Sequence, residues 1–455
     1  MTDPSSRRFR RTFAGVVASL VVLVAVFAAL GANQGPKLSS AQVDTDGVVS
    51  QSGQQLRLFA NQAVATVTAE QVSIVPDAPV TVTSSGDAIA VQFDQPLRYN
   101  TDYTVTVTGV TSQYVDTPAT LDYSFRTGSP DLYYLDRGTD SDQIIRTSIS
   151  ETERTVVYSA PQIQDFAVFD AAVAVVTTDD AGLNELSLVN AQGNVESVAL
   201  PGAGTLDLMR GNAATGVLGF TFTGAEPTPE REYFDTLFTI DLNSTRLLTP
   251  VTGLDGAALE VLEWSFVPGS TRLIAQNTDQ SLLSVDTAEP RDVLPLGQYV
   301  EFDSVSTDGS TVVVADPFGP LALDVADGTT RRLDPSPLDG DIPFGGTAQV
   351  LPDGRWLQQV AFFDETSGRF QSLVVVDDGD TSRAIFRTLN DAGSIERFQV
   401  SPNNQYVAIE TVPDVEISET DGYAVNGRST SITTVFVDIE SGAVVKSIEG
   451  FDASW

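Results

Sequence analysis

The last five residues, Phe451-Asp452-Ala453-Ser454-Trp455, read as the opening strand of a four-stranded repeat whose other three strands lie at 131–161, about 300 residues earlier. A chain that gives one sheet a strand from each of its ends latches a ring. Such a ring, a closed β-propeller, leaves only short, protected strand edges.

The repeat that leads to this strand begins at Asp131. Four segments share a strand, a tight turn and a second strand. Their turns are Val267-Pro268-Gly269-Ser270, Ser306-Thr307-Asp308-Gly309, Leu351-Pro352-Asp353-Gly354 and Ser401-Pro402-Asn403-Asn404. Proline presets φ for the turn, and Asp-Gly or Asn-Asn accepts the left-handed conformation that follows. A third strand then ends on an acid, at Asp241, Asp286, Asp324, Asp377 and Asp438, and an apolar fourth strand such as Ala443-Val444-Val445-Lys446-Ser447-Ile448 comes next. These acids are read as turn residues that bond their own backbone. They are spaced 45, 38, 53 and 61 residues apart, a period expected of propeller blades with loop insertions. Six blades are predicted at 163–201, 206–251, 260–297, 301–334, 347–388 and 395–450, and the seventh combines 131–161 with the terminal strand. The Ser401-Pro402-Asn403-Asn404-Gln405-Tyr406-Val407-Ala408 stretch resembles the WD40-like repeats of the periplasmic TolB protein and of many exported bacterial propellers.

Ahead of the propeller, Leu56-Arg57-Leu58, Val72-Ser73-Ile74, Val80-Thr81-Val82, Ile89 to Phe93 and Tyr103 to Val107 alternate with period two between Asp, Gly, Pro and Asn turns. The spacing predicts a β-sandwich over 36–128. The order Pro96-Leu97, Asn100-Thr101-Asp102-Tyr103-Thr104-Val105, then Tyr123-Ser124-Phe125-Arg126-Thr127-Gly128 resembles the bacterial Ig-like domain typified in S-layer proteins. That resemblance implies a spacer or adhesive module without catalytic residues. Its aromatic residues are expected in the core.

At the N-terminus, Arg7, Arg8, Arg10 and Arg11 in a basic tail (1–12) precede an uncharged run from Phe13 to Ala32, long enough to span a bilayer core of about 30 Å as a helix. The arginines predict a cytoplasmic N-terminus, which places everything after Ala32 outside, with 60 acids against 21 bases beyond the run. A cleaved signal peptide is the rival reading, with Ala29-Leu30-Gly31 as a cleavage site; the run exceeds the usual signal core. Two lysines, Lys37 and Lys446, and abundant Ala, Val and Asp suggest a GC-rich genome, such as an actinobacterial one.

Composition removes several classes of function. The chain has no cysteine and no histidine, so disulfides, Ser-His and Cys-His nucleophiles and the commonest metal ligand are all absent. A formal charge of −36 argues against nucleic acid, which needs clustered cations to displace phosphate counterions. No catalytic residue, cofactor site or metal ligand is assigned, and the chain is read as a non-enzymatic binding protein. Asp44-Thr45-Asp46-Gly47 and Asp140-Ser141-Asp142 supply only fragments of a Ca²⁺ loop.

Function is expected on the propeller face where second-to-third-strand loops and interblade crossings emerge, because the long insertions gather there. The candidate residues are Asp140, Asp142, Asp179, Asp180, Glu230, Tyr233, Asp339, Asp341, Phe344, Asp364, Glu365, Glu416, Glu419, Asp421 and Tyr423. Such an acidic face suits a protein patch, a cationic peptide or a wall component. The alternative is a carboxylate-dependent protein acting on or binding extracellular glycans, which requires two acids at defined separation in a cleft.

Overall fold

A computed structural model describes residues 9, 12–23, 34–129, 131–226, 233–365, 368–388 and 392–455. Residues 12–23 are helical, and among the described residues no helix is long and apolar enough to cross a membrane. Of the expected span over 13–32, residues 13–23 are described and helical. Residues 24–32 and Arg7, Arg8, Arg10 and Arg11 lie outside the described residues.

The remainder is β-structure in two units that divide at Gly128/Ser129. In the first, β1 (Leu38–Gln42), β2 (Gln55–Ala60), β3 (Val72–Val75), β4 (Val80–Ser85), β5 (Ala88–Phe93), β6 (Asp102–Val110) and β7 (Ala119–Arg126) form two antiparallel sheets, ordered β1-β2-β5-β4 and β3-β6-β7. Alternation puts Leu56, Leu58, Ile89, Val91, Phe93, Tyr103, Val105 and Val107 inside. Phe93 of one sheet meets Phe125 of the other with ring centres 6.2 Å apart, and Tyr103 stacks on Phe125 at 5.9 Å. The Asp44-Thr45-Asp46-Gly47 fragment is a turn: the Asp44 carboxylate accepts the Asp46 and Gly47 N–H groups at 3.2 and 3.0 Å.

The second unit is seven successive four-stranded antiparallel sheets. Blades 1 to 6 occupy 163–198, 204–250, 261–298, 301–332, 344–387 and 394–449. The closing blade joins Asp131–Arg137, Asp142–Ser148 and Thr155–Ala160 to Phe451–Ser454, which pairs antiparallel with the first of these through Phe451↔Leu135 and Ser454↔Tyr133. First strands of blades 1 to 5 stand side by side around the axis. Blades pack through shared apolar layers. Trp264 of blade 3 fills the space left by Gly219 of blade 2, where an added Cβ would lie 2.4 Å from the indole, and its Nε1 donates to the Leu208 carbonyl at 3.0 Å. The repeated turns are left-handed where expected, with φ of 72° at Gly309 and 58° at Asn404. The acids that end the third strands accept backbone N–H groups two or three residues on, as at Asp241 (Asn243, 2.9 Å), Asp324 (Ala326, 2.8 Å) and Asp438 (Ser441, 2.9 Å).

Candidate functional site

Antiparallel strands put turns alternately on two faces, so second-to-third-strand loops and interblade crossings share one face of the ring. The candidate residues reach that face in different states. Glu230 lies outside the described residues, as does the side chain of Asp364, the last residue of its strand. Asp140, Asp180, Asp341, Glu365 and Glu419 are exposed. Asp179 closes its own turn by accepting the Ala181 and Leu183 N–H groups, both at 2.9 Å. Asp339 is exposed, with Arg387 3.6 Å away, and Glu416 pairs with Arg369.

Four of the candidates are structural. Tyr233 packs edge-on against Phe222 and Phe238, at 6.0 and 5.3 Å, as part of the core between blades 1 and 2. Asp142, Asp421 and Tyr423, expected on an open binding face, are instead folded into the closing seam. Asp142 is buried, accepting the Ile163 N–H at 2.8 Å and the Tyr423 hydroxyl. Arg137, with its side chain only 5% exposed, pairs with Asp421, stacks 3.6 Å over the Tyr423 ring, and donates to the carbonyls of Asn426 (2.9 Å), Ile163 (3.2 Å) and Gln164 (2.9 Å). The long insertion of blade 6 thus lies across the junction of blade 6, the closing blade and blade 1. Burial raises the Asp142 carboxyl above its usual range, and burial together with Asp142 raises the Tyr423 hydroxyl. The guanidinium answers the charge of both acids and makes four hydrogen bonds, so the segment works as a clasp.

What the face leaves open is aromatic. Among the described residues, the propeller's exposed phenylalanines are Phe234, Phe318, Phe344, Phe363 and Phe370, and all five lie at this face. Three of them touch: Phe344 meets Phe370 at 5.8 Å and Phe363 meets Phe370 at 5.2 Å between ring centres. The hairpin that carries Phe363 and Phe370 has nine-residue strands, Trp356–Asp364 and Arg369–Asp377, against six to eight in the matching strands elsewhere. Its tip therefore extends farther along the strand direction than its counterparts. Phe344 was expected in a loop; it is the first residue of the inner strand Phe344–Val350. Ile342 beside it and Ile417 in the blade 6 insertion are 73% and 80% exposed.

Below this rim is a set of channel carboxylates that were not among the candidates. The inner strands begin at the loop face, and each carries a β-bulge near its start. Acids stand at or next to the bulge in five of them: Asp165, Asp207, Glu263, Asp303 and Asp452. Blade 6 has Arg397 there, and blade 5 has Gly345-Gly346-Thr347. Three of these acids turn back on the backbone: Asp165 accepts the Phe166 N–H, Asp207 the Leu208 N–H (both 2.7 Å) and Glu263 the Trp264 N–H (2.8 Å). Leu208 and Asp452 hold φ of 48° and 52°, a left-handed conformation that costs a non-glycine residue about 1 kcal/mol or more.

Charge is divided unevenly around the channel. On one side Arg397 joins Glu410 (2.9 Å) to Asp452, and Asp452 also accepts from Asn426 at 3.1 Å. Glu263 is held by Arg210 at 2.7 Å. Asp165, Asp207 and Asp303 have no ion-pair partner among the described residues. Burial, reinforced by Asp452, pushes the Asp165 carboxyl up to about 8, and burial takes Asp303 to about 7. Asp207 is raised for the same reason. Burial also works to raise Asp452, but Arg397 and Arg428 outweigh it and hold that carboxyl below its usual range. A sequence signal for these residues existed: a single acid early in an otherwise apolar first strand, recurring blade after blade. Among the described residues no three acids converge to hold a metal ion.

No protein-family model matches this sequence, and no curated protein matches it significantly. Several solved structures are similar in architecture at low identity. The dihydro-heme d1 dehydrogenase NirN aligns at 12% identity over 71% of this chain and 74% of its own, with a TM-score of 0.41. An uncharacterised protein from Listeria monocytogenes EGD-e aligns at 10% identity over 69% and 90%, TM-score 0.41. The Pyrococcus horikoshii acylaminoacyl peptidase aligns at 10% identity over 77% of this chain and 51% of its own, TM-score 0.41. The propeller assignment itself rests on the strand order and the seven-sheet ring.

Proposed function

We propose that this chain is an extracytoplasmic binding protein of the cell envelope, tethered through Phe13–Ala32, with residues 36–128 as an Ig-like stalk and the propeller's loop face as its working surface. The observation that carries the reading is the gathering of every exposed propeller phenylalanine on one face, three of them in contact at the tip of the longest hairpin. Exposed apolar clusters on a well-packed protein mark places where something else binds, and large aromatic side chains supply much of the energy of such contacts. Function then consists of surface contact with a protein or wall component. Passing solubilised envelopes over the immobilised full chain tests it. A partner retained by the native protein and lost with Phe363→Ser and Phe370→Ser together supports the reading, and identical retention by both overturns it.

A second reading rests on the unlike surroundings of two channel carboxylates. Asp165 has no ion-pair partner among the described residues and its carboxyl is raised, whereas Asp452 is held by Arg397 and lowered, a contrast of the kind an acid and a base acting on a glycan require. It predicts polysaccharide cleavage that is abolished by Asp165→Asn and indifferent to the phenylalanines.

A further inference from the structure

The chemistry of the partner can be read from what surrounds the phenylalanines, an inference that rests on the loop face being a binding surface. The apolar cluster is bordered by acids. Asp341 and Glu365, three and two residues from Phe344 and Phe363 in sequence, are exposed, Asp339 lies 3.6 Å from the exposed Arg387, and Glu416 pairs with the half-buried Arg369. The channel mouth opens on the same face, because every inner strand starts there, and it presents Asp165, Asp207 and Asp303 without ion-pair partners among the described residues. Phe344 leads directly into Gly345 and Gly346, so the inner strand of blade 5 carries no side chain over the two residues that connect the aromatic cluster to the channel wall. Both glycines are exposed, and an added Cβ at Gly345 would come within 2.7 Å of Gln358.

We propose that this face docks a basic segment of another protein, with an apolar side chain seated on Phe344, Phe363 and Phe370 and a lysine or arginine farther along the segment lying over the carboxylates at the channel mouth. Charge complementarity decides the occupant. An acidic partner would have to approach a chain of net charge −36 through a rim of carboxylates. The channel acids add a second contribution, since a cation placed beside Asp165 or Asp207 favours their ionised forms and so binds more tightly as those protons leave. Burying three aromatic rings under one apolar side chain supplies the desolvated centre, and the surrounding acids supply orientation and encounter rate.

The test uses the full chain in detergent micelles and labelled peptides with a central Phe or Leu flanked either by Lys/Arg or by Asp/Glu, read by fluorescence anisotropy at ionic strengths from about 0.05 to 0.5 M. The basic peptide is expected to bind, the acidic one not. Phe363→Ser with Phe370→Ser should weaken binding by at least about tenfold at every salt concentration. Asp165→Asn with Asp207→Asn should weaken it less and flatten its salt dependence. Equal binding of both peptides, or no effect of either double variant, overturns the proposal. So does preferential binding to phospholipid vesicles or a polysaccharide, or self-association of the chain that the serine variants abolish. An envelope partner held through Phe363 and Phe370 but indifferent to salt and not displaced by the basic peptide would overturn this inference while leaving the loop face a binding surface.

Discussion

Two excursions on the same face of the propeller, in neighbouring blades, have opposite fates. The blade 6 insertion and the blade 5 hairpin each combine acids with aromatics. In the first, one arginine from 284 residues earlier reaches between the acids and under the ring, and the segment closes over the seam. In the second, among the described residues, no guanidinium stacks on the aromatic cluster, and the rings stay exposed. What separates the clasp from the open cluster is therefore the presence of a buried donor set that matches the acceptors, not the number of acids or aromatics.

The sharpest way to break the comparison is Arg137→Ala. It strands Asp421 in a buried site and removes the stacking partner of Tyr423, and breaking a buried pair of this kind costs about 3–5 kcal/mol. All three tryptophans lie in the propeller, so denaturant unfolding followed by tryptophan fluorescence should show that loss directly. An unchanged midpoint would mean the clasp contributes nothing. Tyr423→Phe is milder: it removes one hydrogen bond from Asp142 and keeps the stacking, for an expected loss of about 1–2 kcal/mol by the same measurement.

The channel sharpens the contrast through pH. A carboxyl held near 8 when folded and near 3.8 when unfolded binds its proton more tightly in the folded state. Asp165 therefore costs no stability below about pH 4, and stability falls as pH rises from there through about 8. Asp165→Asn should flatten the decline of melting temperature across this window; a decline identical to that of the native protein would show that Asp165 is not the group responsible. The smallest expected effect is the most informative about function. Phe363→Ser and Phe370→Ser, at exposed positions, should each change stability by less than about 0.5 kcal/mol, while binding collapses. A large destabilisation would make the cluster part of the core.

The ring was legible because its signals are local. Pro-Gly, Asp-Gly and Asn-Asn turns and the acid after each third strand recur within one blade, and the predicted blade limits fall within a few residues of the observed ones. The terminal strand was legible because the first repeat lacked one. In the sandwich, five strands are signalled by alternation and a sixth overlaps the Tyr123 to Gly128 stretch that carries the Ig-like resemblance, while Leu38–Gln42 was not among the segments predicted. The candidate site was read less well, for a physical reason. The roles of Asp142, Asp421 and Tyr423 depend on Arg137, and nothing near them in sequence announces it. Phe363 and Phe370 sit on strands whose alternation elsewhere in this chain means core, so their exposure follows only from the length of their hairpin. The channel acids were passed over because one charge inside a short apolar strand carries little weight until seven strands are laid around an axis.

The closing sheet also has a history in time. Its first three strands precede all six other blades in the chain, and its fourth follows them. A chain emerging N-terminus first would expose the open edge of Asp131–Arg137 through the synthesis of more than 300 further residues, with no native partner for that edge yet in existence. The Arg137 clasp would be nearly as late, since Asp421 and Tyr423 precede the last three strands of the chain. Closure of the ring is therefore a terminal event, and the long wait before it is when a chaperone bound at that edge would have most to protect.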